Sequence, residues 1–217
     1  MLILAISTSS NTCSVALLED DKCIEELNII NQKTHSENLM SLIDEIFKKT
    51  KKTLKDVKLI ACDNGPGSFT GIRIGVATVK AMAEAMQIPV IAVSSLEALS
   101  YNVEKKNGCI ISLIDARNNQ VYAGVFNNNH EIVENYIADD IETVKNVIVN
   151  HTNITLVGDG YNVHKELFNQ SESYDDIIHS KNIGISAYNK FINGQVQTAD
   201  EIKPMYLRKS QAERMKK

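Results

Sequence analysis

The run Gly65-Pro66-Gly67-Ser68-Phe69-Thr70-Gly71 is the part of this 217-residue chain whose residue types and spacing best suit chemistry. It joins the short apolar stretch Leu59-Ile60-Ala61-Cys62-Asp63 to a helical pattern. Free backbone N–H groups and the positive end of a helix suit such a place to a phosphate. The run lacks the Gly-Lys-Ser/Thr ending that would bring a lysine to a terminal phosphate, and it lacks Gly-x-Gly-x-x-Gly spacing. Its glycines serve equally well simply to permit positive φ. A second candidate is the first hairpin turn, which opens with Ser7 and Thr8; Asp115 takes the equivalent place in a later hairpin. Ser7, Thr8, Gly65, Gly67, Ser68 and Asp115 are thus the candidate nucleotide- or phosphate-loop residues.

Other chemistries find little support. His35, His130, His151, His164 and His179 are scattered, with no His-x-x-x-His pair, so no metal site is expected. Cys13, Cys23, Cys62 and Cys109 sit in apolar runs without Cys-x-x-Cys spacing, and read as reduced, buried thiols of a cytoplasmic protein. A Ser-His-Asp or Cys-His hydrolase is open on composition, but Gly-x-Ser-x-Gly is absent and no spacing brings the partners together. Lys plus Arg total 23 against 27 Asp plus Glu, a net charge of −4. A chain gripping nucleic acid through its phosphates usually carries a basic surplus. Any such contact here is expected to use a partner's charges. No apolar run approaches ~18 residues, and the first six residues read as a strand rather than a signal peptide.

The elements that position these residues repeat. Residues 2–6 are apolar, 7–12 turn-forming and 13–18 apolar; 109–114, 115–120 and 121–126 repeat that order. A third strand is expected at 23–30 and again at 131–137, a helix at 34–50 and a weaker one at 140–149, and a buried strand at 59–63 and 154–159. The order β-β-β-α-β therefore occurs twice, predicting an α/β architecture in which two mixed sheets are flanked by helices. The expected lobes are 1–103 and 104–217, hinged near residue 104 in the polar stretch 102–108.

Two helices have unusual surfaces. Thr34-His35-Ser36-Glu37 is a capping box, and Leu39, Leu42, Ile43 and Ile46 form an apolar stripe that Met40 and Phe47 widen. Lys48, Lys49, Lys51 and Lys52 complement the negative end of that helix. The second helix, expected at 72–86, carries only Arg73, Lys80 and Glu84 as charges. Gly75 within it costs ~1 kcal/mol relative to Ala. Ala77, Ala81 and Ala85 form a row four residues apart, and Met82 and Met86 add deformable surface. Such a helix is buried on more than one side; its second neighbour is either internal or a helix of another chain.

In order along the chain, LILAISTS (2–9), His35-Ser36-Glu37, GPGSFTGIRIG (65–75), SSLEAL (94–99), Ile114-Asp115-Ala116-Arg117 and Pro204-Met205-Tyr206-Leu207-Arg208 resemble the bacterial tRNA threonylcarbamoyladenosine biosynthesis family TsaB, also called YeaZ. The likeness runs from residue 1 to about 212, and GPGSFTGIRIG is its most specific part. The resemblance implies a two-lobed actin-like (ASKHA, RNase H-like) fold and a non-catalytic scaffold. That scaffold would bind and activate the TsaD transferase, which modifies adenosine 37 of tRNAs reading ANN codons. It implies TsaE, an ATPase, as a further partner and TsaC as the donor-making enzyme. Metal and nucleotide would sit on TsaD and TsaE, with no cofactor in this chain, and tRNA would be met only through the complex. The implied partner surface is the two helices: His35, Leu39, Met40, Ile43, Phe47, Arg73, Ala77, Lys80, Ala81, Glu84 and Ala85. The same surface would form homodimers when TsaD is absent. Ser7 stands where the family usually shows Asp, the metal-organising carboxylate of actin-like ATPases. An independent nucleotide-binding ATPase or kinase, and a peptidase, are the competing readings.

Overall fold

The computed structural model describes residues 1–30, 34–104, 107–170 and 174–208. Apolar residues with high strand propensity form β1 (Leu2–Ser7), which turns into antiparallel β2 (Thr12–Glu19) and β3 (Lys22–Ile30). α1 (His35–Thr50) begins where the Glu37 carboxylate accepts from the Thr34 N–H and hydroxyl, at 3.1 and 2.8 Å. β4 (Leu59–Asp63) then runs parallel to β1, and α2 (Phe69–Met86) carries the chain to β5 (Val90–Val93), parallel to β4. The first sheet has the order β3-β2-β1-β4-β5. Period-two alternation sends Leu2, Leu4, Ile6, Val15, Leu17, Ile60 and Cys62 to one face, where they form a core with α1 and α2. α3 (Ser95–Ser100) follows β5.

The second sheet repeats the plan. β6 (Cys109–Asp115) pairs antiparallel with β7 (Gln120–Phe126), which pairs antiparallel with β8 (Ile137–Asp140). α4 (Ile141–Ile148) is capped by the Asp140 carboxylate, which accepts from Thr143 N–H at 2.9 Å. β9 (Ile154–Val157) returns parallel to β6, and α5 (Asp159–Val163) follows. The order is β8-β7-β6-β9. The third strand of this copy starts at residue 137 rather than at 131. After β7 the chain turns through 127–130, with His130 N–H donating to Asn127 O at 3.0 Å, and Ile132 and Val133 stay exposed.

The last helix departs most from the expected division. α6 (Ser180–Ile192) packs against β1, β2, β4 and β5, covering the face of the first sheet opposite α1 and α2. Ile183 and Ala187 are wholly buried there. One compact unit is therefore Met1–Ala98 with Ile178–Met205; the other is Leu99–Ile177, joined by 206–208 of the described residues. The expected boundary at 103/104 differs from this division, which falls between Ala98 and Leu99 and gives α6 to the first sheet, because both faces of β1 and β2 are apolar and each needs a cover. The expected hinge at 102–108 runs through 105–106, which lie outside the described residues.

Candidate functional site

The glycine-rich turn begins at Asp63, the last residue of β4, which is 1% exposed. Its carboxylate accepts from four donors. Ser7 Oγ lies 2.6 Å from Oδ2, and Ser9 Oγ also donates to Oδ2. Ser95 Oγ lies 2.6 Å and Gly65 N 2.9 Å from Oδ1. Ser95 Oγ also reaches Ser9 Oγ at 3.0 Å. Burial pushes the Asp63 carboxyl up, against the pull of these four donors. Asp63, Ser9 and Ser95 were not among the sequence candidates; the available signal was a carboxylate ending a buried strand just before a glycine. Ser7 thus acquires a physical role. Its hydroxyl donates to a buried carboxylate, where an Asp would confront it with a second negative charge.

The turn itself is occupied by the chain. Ser68 N–H donates to Ser9 O at 2.7 Å, and Thr8 Oγ1 donates to Gly71 O at 2.7 Å. Ser68 caps α2, its hydroxyl accepting from Gly71 N–H at 3.2 Å. A Cβ on Gly67 would lie 2.3 Å from Ser9 O, one on Gly71 1.9 Å from Thr8 O, and one on Gly75 2.4 Å from Thr8 Oγ1. Real side chains do not tolerate such distances, so these three glycines exist to let the first hairpin turn press against the start of α2. Ser7 and Thr8 are wholly buried. The phosphate-cradle reading of Ser7, Thr8, Gly65, Gly67 and Ser68 is corrected on this ground. The Ser68 N–H is already satisfied by Ser9, and a phosphate would have to displace the hairpin.

Asp115 is remote in role from this turn. Its N–H donates to Asp159 Oδ1 at 3.0 Å, and its own Oδ1 accepts from Arg117 N–H at 2.9 Å. Arg117, Asn118 and Asn119 all have positive φ, so Asp115 closes a tight turn. Burial pushes the neighbouring Asp159 carboxyl up, and the Asp115 charge adds to that. Among the described residues no group of three His, Cys, Asp or Glu side chains could hold a metal ion.

The two helices sort the proposed interface residues into two sets. Leu39 and Ile43, with Leu42 and Ile46, are 4% exposed or less and belong to the first core, as does the inward side of α2. The apolar stripe of α1 is therefore consumed internally, and the expectation that it waits for a partner is corrected for Leu39 and Ile43. His35 is also buried, with Nε2 3.0 Å from Ser10 O, and its ring touches the Gly71 position, so the two helix starts meet. Phe47 is half-buried against the core, and Lys80 is half-buried with Nζ donating to Asp200 O at 3.4 Å. The outward set is Met40 (55% exposed), Arg73, Ala77, Ala81, Glu84 and Ala85. On α2 these make a low ridge of alanines four residues apart, flanked by one cation and one anion. Such a ridge allows another helix to approach closely.

A β-β-β-α-β unit used twice, with a helix backing the first sheet, defines an α/β protein of the two-lobed actin-like class. A family model described as TsaD, tRNA N6-adenosine threonylcarbamoyltransferase, matches residues 28–215. The chain is 32% identical to the tRNA threonylcarbamoyladenosine biosynthesis protein TsaB of Bacillus subtilis (strain 168), over 98% of this chain and 96% of that protein. The chain belongs to the TsaB (YeaZ) family. It is also 28% identical to TsaB of Haemophilus influenzae, over 96% of this chain and 94% of that one. Among solved structures it is similar to a Pseudomonas aeruginosa protein described as uncharacterized with similarity to peptidase YEAZ. The TM-score is 0.82 and the identity 25%, over 95% of this chain and 99% of that chain.

Proposed function

We propose that this chain is a non-catalytic subunit in N6-threonylcarbamoyladenosine formation on tRNA, binding the TsaD transferase and biasing it towards its competent state. The observation that carries this reading is the exposed alanine ridge of α2, bordered by Arg73 and Glu84, on a helix otherwise sunk in the core. The self-filled glycine turn supports it further, since the N–H groups of Gly65, Ser68 and Gly71 are spent on holding the fold. The relatives that match along nearly their full length carry the biosynthesis name. With a net charge of −4, the chain leaves the tRNA phosphates to the other subunits. On this reading TsaE completes the assembly, TsaC supplies its substrate, the isolated chain pairs with itself through the same ridge, and the work is done in the cytoplasm.

Ala81→Arg tests the proposal. Ala81 is exposed, so the folded chain should lose no more than ~0.5 kcal/mol of stability. A bulky charge in a close helix seam should weaken TsaD binding by about a hundredfold. Co-purification with TsaD and a threonylcarbamoylation assay with tRNA, TsaC and TsaE read both effects. A folded Ala81→Arg chain that binds TsaD as tightly as the native chain overturns the reading.

A further inference from the structure

A second cluster of reactive groups lies in the unit built on β6 and β9, away from both helices. Cys109 opens β6 and stands in register with Ile154 of β9. His151, in the turn before β9, places Nδ1 3.9 Å from Cys109 Sγ. Its other nitrogen, Nε2, lies 3.1 Å from Glu134 Oε1. Glu134 belongs to the segment 132–135, which lines a cavity of about 530 Å³. A ring that accepts the thiol hydrogen at Nδ1 carries its own proton on Nε2, which is close to the Glu134 carboxylate though not aligned for a hydrogen bond. A nucleophile and a base are thereby adjacent, with a carboxylate close to the far side of the base.

We propose that Cys109 is a modification site: a partly exposed thiol that exchanges with small disulfides, with His151 as its base and Glu134 as the carboxylate whose charge steadies the protonated base. His151 Nδ1 takes the Cys109 proton, and the thiolate attacks one sulfur of the disulfide. The protein–ligand S–S bond forms as the incoming S–S bond breaks, and the departing thiolate takes the proton back from His151. One thiol and one disulfide become one mixed disulfide and one thiol, and no other oxidant is needed.

The remaining cysteines supply the contrast. Cys13 is buried, and burial pushes its thiol up to about 11. Cys62 is buried beside Asp63 and pushed well up. Cys23 is exposed, yet partial burial of its sulfur and the Glu26 charge push it up as well. Accessibility alone ranks Cys23 first; the local chemistry ranks Cys109 first.

The test treats the full native chain with less than one equivalent of the neutral disulfide 4,4′-dithiodipyridine and maps the modified peptides by mass spectrometry over time. Cys109 should be labelled about ten times faster than Cys23. His151→Gln should slow Cys109 by about tenfold while leaving the Cys23 rate unchanged, which also reports an intact fold. Glu134→Gln should slow Cys109 by a smaller factor. Faster labelling of Cys23 in the native chain overturns the proposal without recourse to any variant. So does an unchanged Cys109 rate in His151→Gln. The inference is independent of the proposed function, since it uses residues of the other unit and no partner.

Discussion

Replacing Ser7 by Asp sets a second carboxyl against Asp63. Ser7 Oγ is 2.6 Å from Asp63 Oδ2, and both residues are buried. The exchange removes a hydrogen bond to a charged group, worth about 1.5–3 kcal/mol. It also adds a like charge: at about 4 Å and an effective dielectric of 20 the repulsion is about 4 kcal/mol. The chain can avoid most of that repulsion by holding one proton on the pair. Keeping a carboxyl of ordinary pKa near 4 protonated at pH 7 costs about the same, about 4 kcal/mol. The charged route costs about 5.5–7 kcal/mol once the lost hydrogen bond is added. The protonated route keeps a donor between the two carboxyls and is the cheaper one, so a loss of about 4 kcal/mol at pH 7 is expected. The folded variant then binds a proton that the unfolded chain releases, so its stability rises as pH falls. Asp63 in the native chain has the same sign. Its carboxyl is raised above the ordinary 3.8, so its stability contribution is complete below that value and is lost as pH rises through the folded value. The variant should add a slope of about 1.4 kcal/mol per pH unit between pH 5 and 7. Urea unfolding followed by far-UV circular dichroism suits a chain with no tryptophan. With a slope near 2 kcal/mol/M, the midpoint at pH 7 should fall by about 2 M. A Ser7→Asp midpoint equal to the native one, or a pH dependence parallel to it, refutes the reasoning that the serine cage exists to hold one buried carboxylate.

Gly71→Ala should cost about 3 kcal/mol or more in the same assay, because its Cβ meets the Thr8 backbone oxygen at 1.9 Å and neither element can yield; normal stability would show that the turn and α2 do not need this contact. Glu26 accepts from Lys181 N–H at 2.9 Å and lies 2.9 Å from His179 Nδ1. Burial would raise its carboxyl, but these bonds outweigh burial and hold it below the ordinary 4.5. Its stability contribution is therefore present above that value and lost as pH falls, so Glu26→Gln should cost about 1.5–3 kcal/mol at neutral pH and flatten the acid limb of the stability profile. An unchanged acid limb would rule out Glu26 as its source.

What the sequence discloses follows the range of the interaction that decides each feature. β1, β2, β4 and α1 are legible because a local period and a capping sequence are enough to specify them. The start of α2 is misplaced by three residues, since Ser68 rather than Gly71 caps it. Leu39 and Ile43 read as partner-facing because a wide apolar stripe looks the same whether a sheet or another protein covers it; only β2 and β3 packed beneath α1 decide the matter. Asp63 could not be singled out, because its donors come from three segments, at Ser7 and Ser9, at Gly65 and at Ser95. Cys109, His151 and Glu134 escaped for the same reason. The pairing of β6 with β9 makes neighbours of residues that no short motif connects.

The backing of the first sheet by α6 has a consequence for how the chain is made. Ile3, Ala5 and Ala16 lie wholly buried in the finished sheet, and Leu18 there packs against Gly184. About 100 residues separate the end of β5 from the end of α6. At the usual pace of translation that face stays wet for about 5–20 s after its last strand leaves the ribosome. During that interval the nascent chain carries a sticky half-finished layer, which makes the first unit a natural client for whatever holds hydrophobic surfaces apart until the final helix arrives.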